Sequence, residues 1–182
     1  MTPDTRKRIG LLLIFALFAA PIVAAYVLNA IGWRPAATRN YGTLIEPPQD
    51  LTGARFVRAD GKPLEWKDAE WSWTLFALPG PACATKCRAR IDELRRVRLT
   101  LNQNAYRVRV VVLDTELDAA TLAALHPVQT ARDADATLAG LHPAAADDVA
   151  AAIADPHGFL VLRYAPGYDG SGLRKDLARL VK

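Results

Sequence analysis

Apolar positions along this chain fall into three patterns. A run without a charged residue covers 10–31, and at 1.5 Å per residue a helix of that length crosses the hydrocarbon core of a membrane. Short, nearly continuous apolar runs are typical of buried strands, and helical spacing of apolar residues is typical of helices that pack on a sheet. These patterns predict strands at 71–78, 108–113, 149–154 and 159–164, and helices from Cys87 to about Asn104, at 118–125, at 133–141 and at 171–181.

Turn residues separate these elements and divide the chain. Asp60-Gly61 lies between two short segments and predicts a hairpin around it, and Asp155-Pro-His-Gly158 predicts a tight turn between the last two strands. Residues 32–50 carry three prolines and two glycines without periodicity, which is typical of a linker. The predicted organisation is a cytoplasmic segment at 1–8, a transmembrane helix at 9–31, a linker at 32–50 and a folded domain at 51–182.

The charges that flank the apolar run predict its orientation. Arg6-Lys7-Arg8 precede it, whereas only Arg34 and Arg39 occur in the fifteen residues that follow. By the positive-inside rule the N-terminus is cytoplasmic, so in a bacterium the helix lies in the inner membrane and the domain in the periplasm. Val23-Ala24-Ala25 also fits the cleavage site of a signal peptide. Because the apolar run continues to Ile31, an uncleaved anchor is our interpretation.

Length and charge limit the remaining classes of function. The 182 residues accommodate one anchor and one domain with its own core. The net charge is +4, of which residues 1–8 contribute half. The domain therefore lacks the basic surface expected of a nucleic-acid-binding protein.

The two cysteines of the chain are the candidate catalytic residues. Cys83 and Cys87 follow a predicted strand and a Pro-Gly-Pro break, and they open a predicted helix. Unpaired amides at a helix N-terminus favour a negative charge, and Lys86, Arg88 and Arg90 add positive potential, so we expect a thiolate to form more easily than in a free cysteine. A thiolate attacks disulfides or binds a soft metal ion. The alternatives are a structural disulfide or two buried thiols.

The order of elements, with the Cys pair between the first core strand and its helix, resembles the thioredoxin fold. The spacing Cys83-Ala-Thr-Lys-Cys87 behind a single anchor resembles the Sco/SenC group of cytochrome oxidase assembly proteins. The segments 155–164 and 173–180 are similar to small membrane-anchored Sco-like proteins of proteobacteria. The resemblance implies an α/β domain of thioredoxin type, a central mixed sheet flanked by helices, behind one transmembrane helix.

The resemblance also implies a ligand and a partner. Cys83 and Cys87 would hold Cu(I), or would exchange electrons with the cysteines of an oxidase copper centre. The partner would be an oxidase subunit or an assembly factor. In Sco proteins a histidine completes the copper site, and its place here falls near Asp147. His142 lies five residues earlier and is the candidate third metal ligand, whereas His157 lies in the predicted hairpin turn.

Three functions therefore follow from the sequence. The first is a membrane-tethered thiol reductant or copper-delivery factor for oxidase assembly. The second is a non-catalytic scaffold of thioredoxin type with a static Cys83–Cys87 bridge. The third is a general periplasmic oxidoreductase, from which the CxxxC spacing departs.

Overall fold

The computed structural model describes residues 3–33 and 39–181, which belong to two separate units, Met1–Arg39 and Asn40–Lys182. The first unit contains one helix, α1 (Pro3–Ala30), so helix includes most of the segment predicted as a cytoplasmic tail. Its stretch Arg8–Ala30 has a mean hydropathy of 2.7 and is long and apolar enough to cross a membrane. Apolar side chains such as Phe15 and Phe18 are exposed along it, as lipid contact requires.

The second unit is built on a seven-stranded mixed sheet. Its strands, in chain order, are β1 (Thr43–Asp50), β2 (Phe56–Arg58), β3 (Trp73–Pro79), β4 (Val108–Leu113), β5 (Gln129–Asp133), β6 (Val149–Ala154) and β7 (Phe159–Tyr164). Its helices are α2 (Thr85–Leu99), α3 (Ala119–Ala124) and α4 (Gly170–Leu180), with 3₁₀ turns at Asn102–Arg107 and Ala139–Leu141. The strand order is β1-β7-β6-β3-β4-β5-β2, with β3, β4 and β5 parallel and the remaining pairs antiparallel.

The central strands are buried on both faces, which explains their continuous apolar runs. Along β3, Leu75 and Ala77 point to one cluster of buried side chains, and Phe76 and Leu78 point to the other. Helices α2 and α4 cover the first face through Ile91, Leu94, Leu173 and Leu177. Side chains from the segments around 51–66 and 138–141 cover the second face. This packing fixes β3 at the centre of the sheet and directs its C-terminal end toward the cysteines.

Several predicted elements are confirmed. The strands at 108–113, 149–154 and 159–164 have the predicted bounds, and the first core strand begins two residues later than predicted, at Trp73. Helix α3 is capped by Asp118, whose side chain accepts a hydrogen bond from the amide of Thr121 at 2.8 Å. The short hairpin around Asp60-Gly61 closes through a bridge between Val57 and Pro63.

The predicted helix at 133–141 is wrong. Residues Gln129–Asp133 form strand β5, and Asp133 is buried at its end. The Asp133 carboxylate accepts a hydrogen bond of 2.7 Å from the amide of Leu138, and Ala136 has a positive φ of 54°. A side chain that bonds to the backbone in this way stabilises a turn instead of a helix.

The predicted linker at 32–50 is wrong over its second half, because Thr43–Asp50 form edge strand β1, paired with β7. The register shifts between Leu44 and Gln49, where Pro47 and Pro48 interrupt the ladder. Proline is tolerated at such an edge because it removes no bond from the centre of the sheet. The part of the predicted linker at 34–38, with Arg34, lies outside the described residues.

The terminal helix begins slightly earlier than predicted. Asp169 caps α4, since its carboxylate accepts hydrogen bonds from the amides of Ser171 and Gly172 at 2.9 and 3.0 Å. Aspartate is among the most favourable N-cap residues, which explains why the helix begins directly after Asp169.

Candidate functional site

The two cysteines form a disulfide at the C-terminal end of β3. Their Cα atoms are 5.0 Å apart. Cys87, the third residue of α2, is completely buried in the core beside that helix, whereas Cys83 precedes the helix and is half-buried. One sulfur of the pair is therefore within reach of another molecule and the other is not.

The turn before Cys83 is held against the loop that precedes β6. The amide of Gly80 donates to the carbonyl of Asp148 at 2.8 Å, and the amide of Ala82 donates to the carbonyl of Ala146 at 2.9 Å. A Cβ atom on Gly80 would overlap the carbonyl oxygen of Ala145. Glycine at this position therefore permits the close approach of the two backbones, and it positions the cysteine loop relative to the loop at 145–148.

Asp147, in that second loop, caps the helix that carries Cys87. Its carboxylate accepts hydrogen bonds from the amides of Ala84, Lys86 and Cys87 at 2.8, 3.0 and 2.9 Å. These bonds, of which the one from Cys87 has the largest effect, lower the pKa of Asp147. The amides that we expected to be free for a thiolate are thus bonded to a carboxylate, and that expectation is wrong for the disulfide form.

The basic residues near the cysteines are also paired with carboxylates. The ammonium of Lys86 contacts Asp148. The guanidinium of Arg88 lies 3.9 Å from the carboxylate of Asp118. These pairs are exposed, so each stabilises the fold by little, but each reduces the positive potential that the sequence indicates around the disulfide.

Cys83 lines an open depression of about 400 Å³ together with His142, Asp114 and Glu116. The His142 ring is held by a contact of 2.7 Å between Nδ1 and the carbonyl oxygen of Pro79. Its Nε2 atom is buried, has no hydrogen-bond partner and lies 3.7 Å from the Asp114 carboxylate. The structure therefore brings the predicted third ligand to the same depression as the exposed cysteine.

His157 does not belong to this site. It lies in the turn after Ala154, at the opposite end of β6 from the cysteine loop, and its ring packs on Trp71 with centroids 5.3 Å apart. Within the described residues, no group of three or more His, Cys, Asp or Glu side chains is arranged to hold a metal ion.

Asp147 and Asp114 belong to this site although neither is among the residues predicted from the sequence. One signal for Asp147 was present: the residue at the N-cap of α2 is Ala84, whose side chain has no acceptor for the first amides of the helix. Asp114 directly follows a buried parallel strand, a position from which side chains reach the edge where sites form.

A family model supports this description of the domain. The model described as "Transmembrane-like, thioredoxin-like, C-terminal domain" matches residues 73–182, more than half of the chain. No curated protein has a sequence that matches the chain.

Solved structures of the Sco group have the same fold. Apo Sco1 of Thermus thermophilus is 19% identical, with a TM-score of 0.53 and coverage of 80% of this chain and 98% of that chain. ScoI of Arabidopsis thaliana, solved with copper bound, is 15% identical, with a TM-score of 0.51 and coverage of 78% and 98%. A SCO1/SenC family lipoprotein of Bacillus anthracis is 17% identical, with a TM-score of 0.51 and coverage of 76% and 99%. The predicted thioredoxin-like fold and the resemblance to Sco/SenC structures are confirmed.

Proposed function

Because this chain belongs to the transmembrane-like, thioredoxin-like C-terminal domain family, we propose that it is a membrane-tethered thiol–disulfide exchange factor. The observation that carries the proposal is the difference in exposure between the two bonded sulfurs. Cys83 lines an open depression, and Cys87 is buried at the start of α2. Exchange requires this asymmetry, since one sulfur must meet the partner and the other must be protected until the first has reacted.

The exchange proceeds in two balanced steps. In the reducing direction, the Cys83 thiolate attacks a partner disulfide, a mixed disulfide forms, and the partner's leaving sulfur takes a proton. Cys87 then attacks the Cys83 sulfur, which releases the partner as a dithiol and closes the Cys83–Cys87 bond. Two electrons pass to the partner, and a thiol reductant must restore the dithiol. In the opposite direction, a partner dithiol is oxidised by the bond seen here.

The membrane helix and the resemblance to Sco proteins supply the cellular context of the proposal. Helix α1 tethers the chain to the bacterial inner membrane with its N-terminus in the cytoplasm and its domain in the periplasm. The partner is a subunit or an assembly factor of a haem-copper cytochrome c oxidase, and the cysteines of its copper centre are the disulfide to be reduced. A periplasmic reporter fused after Lys182 is expected to be active, and a cytoplasmic one inactive.

Copper delivery is a second candidate, favoured by one observation. The Nε2 atom of His142 is buried without a hydrogen-bond partner in the depression that Cys83 lines. Two thiolates, present once the disulfide is reduced, suit Cu(I) as cargo because soft sulfur ligands select it. The arrangement does not fit a complete three-ligand site, since the place that the resemblance implies for the Sco histidine falls near Asp147, whose carboxylate is bonded to three amides.

A trapping experiment tests the exchange function. The reduced C87S variant, treated with glutathione disulfide, is expected to form a stable adduct at Cys83, because the resolving sulfur is missing. The reduced C83S variant is expected to form little adduct, because Cys87 is buried. Equal trapping at both positions, or none in C87S, would favour the alternative of a non-catalytic scaffold with a structural disulfide.

A genetic experiment tests the oxidase connection. Deletion of this chain is expected to lower cytochrome c oxidase activity, and wild type is expected to restore it while C83S and C87S do not. Full restoration by C83S would contradict a role for thiol exchange in oxidase assembly.

For copper, reduced wild type is expected to bind Cu(I) dependent on both cysteines and to bind Cu(II) poorly. If a sulfur-to-copper charge-transfer band does form with Cu(II), H142A should abolish it, and H157A is the matched control.

A further inference from the structure

We propose that Asp147 is a positioning residue that sets the balance between the disulfide and dithiol states, and that it favours the disulfide. This inference rests on the proposed exchange function and deepens it. It concerns a carboxylate that contacts the helix amides around the cysteines, and it explains how a bond at a helix N-terminus is kept closed.

The geometry shows that Asp147 uses the electrostatic field of α2. Both of its carboxylate oxygens are engaged, Oδ1 by the amides of Ala84 and Cys87 and Oδ2 by the amide of Lys86. The N-terminal amides of a helix together carry the equivalent of about half a positive charge. In many thiol sites this charge stabilises a thiolate, and here a carboxylate from a loop some sixty residues away is bonded to it instead.

Reduction of the bond produces two thiols at the helix start whose amides hold this carboxylate. Negative charge that develops on either sulfur, as a thiolate of the reduced pair or as a leaving group during exchange, is repelled by the Asp147 carboxylate. The helix amides do not stabilise this charge, because they are already bonded to Asp147. The nearby cations offer little compensation. Lys86 is paired with Asp148, and Arg88 lies beside Asp118. The reduced state is therefore destabilised relative to the oxidised state, and the pair is a stronger reductant than it would be without Asp147.

Equilibration of the full chain with glutathione measures this balance. Two molecules of glutathione supply two electrons and two protons, the Cys83–Cys87 bond breaks, and one glutathione disulfide forms. The probe is applied to the full chain in detergent micelles, and the fraction of dithiol is read by mass after alkylation. The variants are D147N and D147S, which both retain a neutral capping side chain and so preserve the helix start. The matched control is D148N, which removes the same charge from the next residue, where the carboxylate pairs with Lys86 and not with the helix amides.

We expect D147N and D147S to shift the equilibrium toward the dithiol by about three- to tenfold, which corresponds to about 14 to 30 mV for a two-electron couple. D148N is expected to change it by less than twofold, because that carboxylate belongs to an exposed, screened pair. D147E, which retains the charge, should restore most of the wild-type value. A D147N equilibrium within twofold of wild type, or an equal shift in D148N, overturns the inference. A wild-type bond that glutathione and stronger thiols cannot reduce in the folded chain instead contradicts the exchange function, and the inference with it.

Discussion

The phenol of Tyr164, at the end of β7, donates a hydrogen bond of 3.0 Å to the carboxylate of Asp176 on α4, and both side chains are almost fully buried. The same carboxylate oxygen accepts the amides of Tyr41 and Gly42 at 2.7 and 3.0 Å. One buried carboxylate therefore joins the last strand, the last helix and the segment that leads into β1. A buried acceptor with this many partners is costly to remove, because its donors are left without partners.

Replacement of Asp176 by alanine is expected to lower the free energy of unfolding by about 2 to 4 kcal/mol, since buried donors lose their acceptor. Replacement of Tyr164 by phenylalanine removes one of these bonds and is expected to cost about 1 kcal/mol. Urea unfolding followed by circular dichroism measures both. A urea midpoint of D176A equal to that of wild type would show that water replaces the carboxylate as acceptor without a loss in the free energy of unfolding.

Alkaline pH is expected to destabilise the domain through its buried tyrosines. Burial, and to a smaller extent the charge and hydrogen bond of Asp176, raise the pKa of Tyr164, and burial raises the pKa of Tyr168. The unfolded phenols ionise near pH 10, so this stability is complete below about pH 10 and is lost as the pH rises above it. Each phenol contributes about 1.4 kcal/mol per pH unit in that range. Unfolding at pH 9, 10 and 11 should show a shallower decline in Y164F than in wild type, and identical slopes would contradict the assignment.

The two thiols of the reduced chain are expected to react at different rates. Cys83 is half-buried and lines the open depression, whereas Cys87 has no exposed surface. Brief treatment of the reduced, folded chain with iodoacetamide should therefore modify Cys83 at least about tenfold faster, because alkylation requires access as well as a thiolate. Peptide mass analysis gives the two rates, and denatured protein is the control in which the difference disappears. Faster modification of Cys87 would reverse the roles given to the two cysteines.

Gly80 is expected to tolerate no side chain. A Cβ atom there would overlap the carbonyl of Ala145, and forced overlap in a packed region costs about 1 to 3 kcal/mol. Gly140 is the matched control, since a Cβ atom on it meets no atom within 4 Å. G80A should lower the melting temperature and loosen the cap that Asp147 supplies, and G140A should not. Equal stability of the two variants would show that the loops at 80–82 and 145–148 separate easily.

The buried strands were predictable because their continuous apolar runs have a single physical cause, which is burial in the core. β4, β6 and β7 place apolar side chains in the core, so a run of hydrophobic residues in the sequence indicates a buried strand. β1 and β5 were not predictable in this way. β1 is an exposed edge with two prolines, and β5 has only Ala131 and Asp133 buried, so neither has the periodicity that marks a strand.

The cysteines could be identified from the sequence, and their electrostatic environment could not. The pair is recognisable because two thiols at the start of a helix form a local pattern. Asp147 reaches the same amides from a distant loop, and backbone hydrogen bonds of this kind depend on tertiary packing that no spacing encodes. His142 was proposed from a resemblance, and only the fold brings it to the depression that Cys83 lines.

The reversibility of the Cys83–Cys87 bond in the folded chain distinguishes an exchange centre from a structural disulfide. The full chain in micelles is equilibrated with glutathione redox buffers, and with dithiothreitol buffers for lower potentials, then quenched with acid and analysed by mass after alkylation. Thiol–disulfide exchange predicts one reversible two-electron transition with a midpoint between about −270 and −120 mV, the range of exchange proteins. A bond that stays closed below about −300 mV and opens only on unfolding would identify a structural disulfide and contradict the proposed function.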